Sequence, residues 1–205
     1  RDLRLADNAG LSHALKNAQR VSCVFVFDRD ILDALPHKAD RRVEFILGAV
    51  AGLKQSLRAA GGDLHVSHAR ARFEIPRFAA NLKVQAVFTN EDYEPAAMAR
   101  DDQVAQALKK SGRVLHAFKD QVIFAKDEVL SLAGKAFSVF TPYKNAWLKK
   151  FQLAAGGFDL SLLDSFNCTP KKSQLAPPPD SHIPTLGEMG FDACDLEALH
   201  IRPGM

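Results

Sequence analysis

The sequence predicts an α/β fold: a doubly wound, mostly parallel sheet with helices on both faces, in three α/β/α layers. Two observations carry this prediction. Apolar runs without helical spacing, such as residues 21–27, alternate with longer stretches whose apolar residues recur on one helical face, such as residues 43–57. Hydrophobic residues make up 47% and charged residues 25% of the 205 positions, which is typical of a soluble globular protein.

The elements follow one another in strand–helix order, and turn and capping residues separate them. The predicted strands are residues 21–27, 64–66, 84–89 and 114–118, with a further short strand at 122–124. The predicted helices run from Asp7-Asn8 to about Asn17, from Asp40 to Gly61-Gly62, from 72 to 82 with Pro76 near the start, and from 96 to 110.

The two ends of the chain depart from this alternation. No strand precedes the helix that Asp7 and Asn8 cap, although a sheet of this type normally has one there. We therefore expect the chain to begin just after a natural first strand. At the other end, Pro177-Pro178-Pro179 lies in a stretch too rich in proline for a core. We expect residues 1–151 to form the α/β domain and residues 152–205 to be an extended linker toward another domain.

Two acidic segments are expected at the carboxyl edge of the sheet, where doubly wound folds bind their ligands. Residues 27–32, FDRDIL, leave the first predicted strand, and residues 90–95, NEDYEP, leave the third. Carboxylates there favour a heterocycle that carries N–H groups and repel phosphate. The alternative is that they only cap the following helices.

Several classes of site lack their sequence signature. Neither Gly61-Gly62 nor Gly156-Gly157 has the G-x-G-x-x-G spacing of a dinucleotide loop, and no P-loop, H-E-x-x-H or G-x-S-x-G occurs. We therefore expect no metal site and no hydrolytic triad.

The net charge of +3 permits nucleic-acid binding without indicating it. Three cysteines without a C-x-x-C pair fit a reducing cytoplasm, and no apolar stretch is long enough to span a membrane.

Four segments, in order and at suitable spacing, resemble the photolyase and cryptochrome family, and the likeness covers nearly the whole chain. They are RDLRLADN at 1–8, FVFDRDIL at 25–32, NEDYEPAAMARD at 90–101 and FTPYKNAWL at 140–148. The resemblance implies the Rossmann-like N-terminal domain of that family, which carries a light-harvesting antenna chromophore.

The resemblance also implies what the parent protein does. It would be a bacterial cytoplasmic photolyase, a light-dependent flavoprotein and carbon–carbon lyase that repairs cyclobutane pyrimidine dimers in ultraviolet-damaged DNA by electron transfer from FAD. FAD, the DNA groove and the catalytic residues would belong to a C-terminal helical domain, so this chain would contain no catalytic residue. We expect a monomer. The alternatives are a cryptochrome-like photoreceptor and a nucleotide-binding module resembling universal stress proteins.

The family pattern implies an antenna site on this chain. Ala96 and Ala97 stand where folate-type members have an Asn-Glu pair, whereas Arg100 and Asp101 match deazaflavin-type members. The resemblance therefore favours 8-hydroxy-deazaflavin over methenyl folate, with FMN as a third candidate. The residues expected to hold the chromophore are Asp28, His37, Arg42, Glu94, Arg100 and Asp101.

Overall fold

The computed structural model describes residues 2–155, 174–176, 182–196, 198, 200 and 203. Helices and strands alternate along the first part of the chain. The helices are α1 Ala9–Asn17, α2 Arg29–Leu32, α3 Arg41–Ala59, α4 Ala71–Asn81, α5 Pro95–Lys110 and α6 Phe140–Ala155. The strands are β1 Cys23–Asp28, β2 Leu64–Ala69, β3 Ala86–Asn90 and β4 Val114–Phe118, and a 3₁₀ turn covers Lys126–Glu128.

The strands form two parallel pairs. β1 pairs with β2 in a register that sets Cys23 opposite Leu64, and β3 pairs with β4 so that Ala86 lies opposite Val114. Within the described residues, no strand pairing joins the two pairs to each other. The parallel strands and their alternation with helices confirm the predicted α/β class.

Helices α1 and α4 show that β1 and β3 run in the same direction. The first turn of α1 lies at the carboxyl end of β3, where the amide of Gly10 donates to the side chain of Asn90 at 2.6 Å, and α1 then leads to the start of β1. Likewise, the amide of Ala71 at the start of α4 donates to Asp28 at the end of β1, and α4 leads to the start of β3. Each helix therefore returns from the carboxyl edge to the amino edge, as in βαβ units.

The predicted helix starts are confirmed by their caps. The side chain of Asn8 accepts from the amide of Leu11 at 3.0 Å, and that of Asp40 accepts from the amide of Arg42 at 2.9 Å. After α3, Gly61 has a φ of +91°, the left-handed backbone that glycine adopts without strain.

Two local predictions are wrong. Residues 122–124 are not a strand: they lead into the 3₁₀ turn, and Val122 and Ile123 are exposed. A three-residue apolar run becomes a strand only when a neighbouring strand is available to pair with it. Pro76 lies inside α4 rather than near its start.

The main core gathers around α3. Val43, Val50 and Leu57 are almost fully buried and pack with β1, β2 and residues from the C-terminal part of the chain. Those C-terminal members of the core are Leu175, Met189 and Phe191. Parts of the expected linker therefore pack on the α/β unit, while residues 177–179 lie outside the described residues. The boundary at residue 151 stays a prediction.

A smaller core lies between α4 and α5. Ala79, Val104 and Leu108 are buried there. In the part of the chain that the structure describes, no helix is long and apolar enough to cross a membrane.

Candidate site at the carboxyl edge of the strands

Asp28 ends β1 and joins two helix starts. Its Oδ1 accepts from the amide of Asp30 at 3.1 Å and from that of Ala71 at 3.2 Å, and the residue is buried. The carboxylate satisfies amides that a helix leaves unpaired at its first turn. Asp28 thus caps both helix starts, and its role as a ligand contact stays a prediction.

A charged and aromatic patch lies beside Asp28. Asp30 is paired with the Nε atoms of Arg70 at 3.2 Å and Arg72 at 3.4 Å. The guanidinium of Arg72 also lies 4.9 Å from the ring centre of Phe73, which is 64% exposed. A guanidinium over a ring is attracted to its π face, so this pair holds an exposed aromatic side chain in place.

The second strand pair ends in a buried polar network around Asn90. The Oδ1 of Asn90 accepts from the amide of Gly10, while its Nδ2 donates to Asp2 at 2.8 Å and to the side chain of Asn8 at 3.2 Å. The hydrogen bond from Asn90 and the charge of Arg4 oppose the effect of burial on Asp2 and leave its pKa below the ordinary value.

Asp120 extends this network from the loop after β4. Its Oδ1 accepts from the amide of Ala9 at 2.8 Å, and its Oδ2 lies 2.6 Å from Nη2 of Arg4. Sequence reasoning missed Asp120, because nothing local marks it. Asp2 and Arg4 fall in the RDLRLADN segment, but their contacts depend on strands far along the chain.

The segment that leads into α5 contains Glu94 and Tyr93. Glu94 is exposed directly before α5, and its side chain makes no capping hydrogen bond. Burial, with the nearby charge of Glu91, raises the pKa of Tyr93 to about 12. Tyr93 therefore remains a hydrogen-bond donor at neutral pH. The Nζ of Lys126 pairs with Glu91 at 3.2 Å and lies 6.0 Å from the Tyr93 ring centre.

Arg100 and Asp101 lie together on α5, one turn further along. The Nε and Nη2 of Arg100 both lie 3.0 Å from Oδ1 of Asp101, and both side chains are about a quarter exposed. The Nε and Nη2 edge of Arg100 is thus directed at Asp101, and this ion pair holds the two side chains in one geometry.

His37 and Arg42 lie near the start of α3. His37 is exposed in the loop before it. Arg42 is also exposed and pairs with Asp40, with its Nη2 2.6 Å from Oδ2, and this contact lowers the pKa of Asp40 to about 2. The six predicted residues therefore occupy separate structural positions, and only Arg100 and Asp101 are shown in contact with each other. Their role as a ligand site stays a prediction.

Among residues 2–155 and the other described positions, no group of three or more His, Cys, Asp or Glu side chains is arranged to hold an ion. The expected absence of a metal site stays a prediction. This edge contains hydrogen-bonding groups, charge pairs and an exposed aromatic ring.

Taken together, the parallel strands and the helices between them are those of a Rossmann-like α/β domain. A family model described as DNA photolyase matches residues 1–163, and the chain therefore belongs to the DNA photolyase family. A deoxyribodipyrimidine photo-lyase from a Synechococcus strain is 33% identical over 193 residues, which cover 94% of this chain and 39% of that relative. The chain thus spans about two fifths of the length of this relative.

Two further comparisons bear on the family. One is the structure of an archaeal photolyase from Sulfolobus tokodaii, which is described with two FAD molecules and the implication of a novel light-harvesting cofactor. It matches this chain with a TM-score of 0.60 and a sequence identity of 32%. The match covers 71% of this chain and 32% of that chain. A cryptochrome DASH from Natronomonas pharaonis is 29% identical over 193 residues, 92% of this chain and 39% of the relative.

Proposed function

We propose that this chain is the antenna domain of a deoxyribodipyrimidine photo-lyase, a protein that repairs pyrimidine dimers in ultraviolet-damaged DNA with light. The observation that carries the proposal is the family match over residues 1–163, together with 33% identity to a protein of that name. The photochemistry belongs to FAD, bound by polypeptide outside this chain, and the damaged bases are flipped out of the duplex to reach it.

This chain's own task is to position a light-harvesting chromophore and set its surroundings. Arg100 and Asp101 would meet the carbonyl and N–H edge of a tricyclic ring. When bound, the chromophore absorbs light and passes excitation energy through space to FAD. The side chains orient it and exclude water from its polar edge, and they make or break no bond.

A flavin or deazaflavin fits this edge better than a folate. Ala96 is exposed and Ala97 is buried, so the two positions where folate-type members hold the pterin offer only methyl groups. The 32% identical archaeal photolyase is described with two FAD molecules, which supports a flavin-type ring as well. We therefore rank 8-hydroxy-deazaflavin and a flavin such as FMN above methenyl folate.

Two experiments on the whole protein test this proposal. The absorbance spectrum of the protein as isolated should exceed that of FAD alone in the near ultraviolet or blue, with a shape that identifies the ring. Blue light should then remove pyrimidine dimers from damaged DNA, and protein kept in the dark is the control. FAD-containing protein that leaves every dimer in place under light would overturn the repair assignment.

A cryptochrome-like photoreceptor is the second candidate, favoured by the 29% identity to a cryptochrome DASH. It would share the chromophore and fail the repair assay. A module of the universal-stress-protein type depends on a late glycine-rich phosphate loop. The sequence contains no such loop. Tight ATP binding by this chain would favour that class.

The cellular setting belongs to the same proposal. Cys23 and Cys194 are free thiols, which suits a reducing compartment. We propose that the whole protein acts in the bacterial cytoplasm, as a monomer, on ultraviolet-damaged DNA. Sedimentation of the whole protein at several concentrations would test the monomer.

A further inference from the structure

The segment that contains α6, residues 129–155, has four lysines and no acidic residue. All 24 Asp and Glu residues therefore lie elsewhere in the chain. Just before this segment, the lysines are neutralised by carboxylates. Lys119 pairs with Glu128 at 2.8 Å, and Lys126 pairs with Glu91 at 3.2 Å. A run of cations without carboxylates, by contrast, creates a positive potential that attracts polyanions.

The four lysines of this segment differ in what they contact. Lys150 is turned toward the protein, because its Nζ donates to the backbone carbonyl of Glu128. Lys135, Lys144 and Lys149 are exposed, and among the described residues none of the three forms an ion pair. Their ammonium groups are therefore available to a partner.

The two halves of α6 are buried to different extents. In the C-terminal half, Trp147 packs edge-on against Phe124 with ring centres 5.4 Å apart, and it stacks on Phe151 at 5.2 Å. In the first turn, Phe140 is 73% exposed and Tyr143 is 36% exposed. The start of the helix therefore keeps two aromatic rings in contact with solvent.

These rings share one side of the helix with a lysine. Tyr143 and Lys144 follow Phe140 by three and four residues, so the three side chains are neighbours on the helix surface. The ring of Phe137 lies 6.1 Å from that of Tyr143, which brings the loop that contains Lys135 beside the same side. Lys135, Phe140, Tyr143 and Lys144 form what we call the Phe140 face.

We propose that the Phe140 face binds single-stranded DNA, with the lysines at phosphates and the two rings stacked on bases. Exposed aromatic rings among cations are the combination that single-strand-binding surfaces use. A duplex offers phosphates but keeps its base faces stacked on one another. An acidic protein segment would neutralise the lysines but has no bases for the rings. This contact goes beyond the proposed function, which assigns this chain the chromophore only.

The test measures binding by the 205-residue chain itself. Fluorescence anisotropy of a labelled single-stranded oligothymidylate gives Kd at several salt concentrations. Phe140→Ala should raise Kd at least about fivefold, because it removes a ring that stacks on a base. Lys144→Gln should reduce the magnitude of the slope of log Kd against log salt by about 0.7, which is the contribution of one phosphate contact to a single strand.

Lys149→Gln is the matched control on the same helix. Lys149 is exposed and follows Phe140 by about two and a half turns, so it lies on the opposite side of α6. This variant should change neither Kd nor the salt dependence by as much as Lys144→Gln does. Equal effects of the two lysine variants would indicate a general attraction of polyanions and would overturn the proposal, as would an absence of binding.

A cross-linking measurement on the unaltered chain covers the case in which a variant folds poorly. Single-stranded DNA that contains bromodeoxyuridine is linked to the chain by ultraviolet light, and mass spectrometry maps the linked residues. They should fall within residues 135–144, and links confined to other positions overturn the proposal. Polyglutamate that competes as well as single-stranded DNA would indicate an acidic protein partner instead and would also overturn it.

The whole protein provides the last comparison. Phe140→Ala should weaken its binding to single-stranded DNA while its melting temperature remains that of the parent. A lower melting temperature with unchanged affinity would show that polypeptide outside this chain covers the Phe140 face, and the proposal would then be wrong. The repair assay is independent of this result, so failure of the proposed function and failure of this inference are distinguishable.

Discussion

Arg4 and Asp120 are 116 residues apart in the chain, yet Nη2 of Arg4 lies 2.6 Å from Oδ2 of Asp120, whose side chain is only 1% exposed. The other carboxylate oxygen of Asp120 accepts from the amide of Ala9. One buried carboxylate thus holds the N-terminal segment and the first turn of α1 against the loop that follows β4.

Asp120→Asn should lower the free energy of unfolding by about 1–3 kcal/mol, because it removes the negative charge of a buried carboxylate and leaves Arg4 paired with Asp2 alone. Urea denaturation monitored by circular dichroism measures the loss. Arg58→Met is the control, since Arg58 is 56% exposed in its pair with Asp63 and such pairs contribute about 0–1 kcal/mol. Equal losses for the two variants would contradict the buried role of Asp120.

Gly10 and Gly52 should respond oppositely to alanine. A Cβ at Gly10 would lie 2.9 Å from Oδ1 of Asn90 and 3.1 Å from the backbone of Thr89, whereas one at Gly52 meets nothing within 4 Å. Gly52→Ala should therefore stabilise α3 by about 0.5–1 kcal/mol, and Gly10→Ala should destabilise by about 1–3 kcal/mol. Thermal unfolding of both variants measures the difference. A Gly10→Ala chain as stable as the parent would show that α1 does not pack this closely on β3.

The pKa of Asp40 should depend on Arg42. It lies at about 2, below the ordinary 3.8, chiefly because Arg42 donates to the carboxylate. Arg42→Met should raise this pKa toward the ordinary value while Asp40 continues to cap α3. Carbon-detected NMR titration of the carboxyl group measures the change. Arg29→Met, at the exposed pair with Asp33, should leave the Asp40 titration where it is.

Glu74 should contribute stability that is lost in acid. Hydrogen bonds from Arg77, at 2.8 and 2.6 Å, are the main reason that the pKa of this buried carboxyl lies below its ordinary value of 4.5. A pKa that is lower in the folded state stabilises the fold above about pH 4.5, and this stabilisation disappears as the pH falls through the folded value.

The matching variant is Glu74→Gln. Its free energy of unfolding should be lower than that of the parent at pH 7 and should fall less between about pH 5 and pH 3. Urea titrations at several pH values measure the slope of the free energy of unfolding against pH for both proteins. Glu94→Gln, at an exposed position, should keep the slope of the parent. Parallel slopes for Glu74→Gln and the parent would mean that Arg77 does not stabilise the ionised form.

Asp101→Asn should weaken chromophore binding if the proposed antenna site is correct. Loss of a charged hydrogen bond of about 1.5–3 kcal/mol corresponds to a Kd about ten to a hundred times higher. Fluorescence titration of the chain with 8-hydroxy-deazaflavin and with FMN measures Kd. Asp102→Asn, at the exposed neighbouring position, is the control. Equal affinities for the two variants would place the chromophore elsewhere.

Much of the architecture could be predicted because its signals are local. Asn8, Asp40 and Gly61 mark where helices begin and end, and the apolar run of β1 identifies a strand without reference to the rest of the chain. The strand predicted at 122–124 was wrong, since its formation depends on a pairing partner and not on its own residues. Asp28 caps two helix starts in the structure, and its role as a ligand contact stays a prediction.

The sequence by itself determined the alternation of strands and helices, their caps and the acidic character of the segments that leave β1 and β3. The tertiary structure alone decided that Asn90 holds Asp2, that Asp120 holds Arg4, and that Leu175 and Phe191 complete the core around α3. The physical reason is the distance along the chain over which each interaction acts. Capping and periodicity act within a few residues, whereas these contacts depend on which strand ends share one edge of the sheet, and that is settled only when the strands pack.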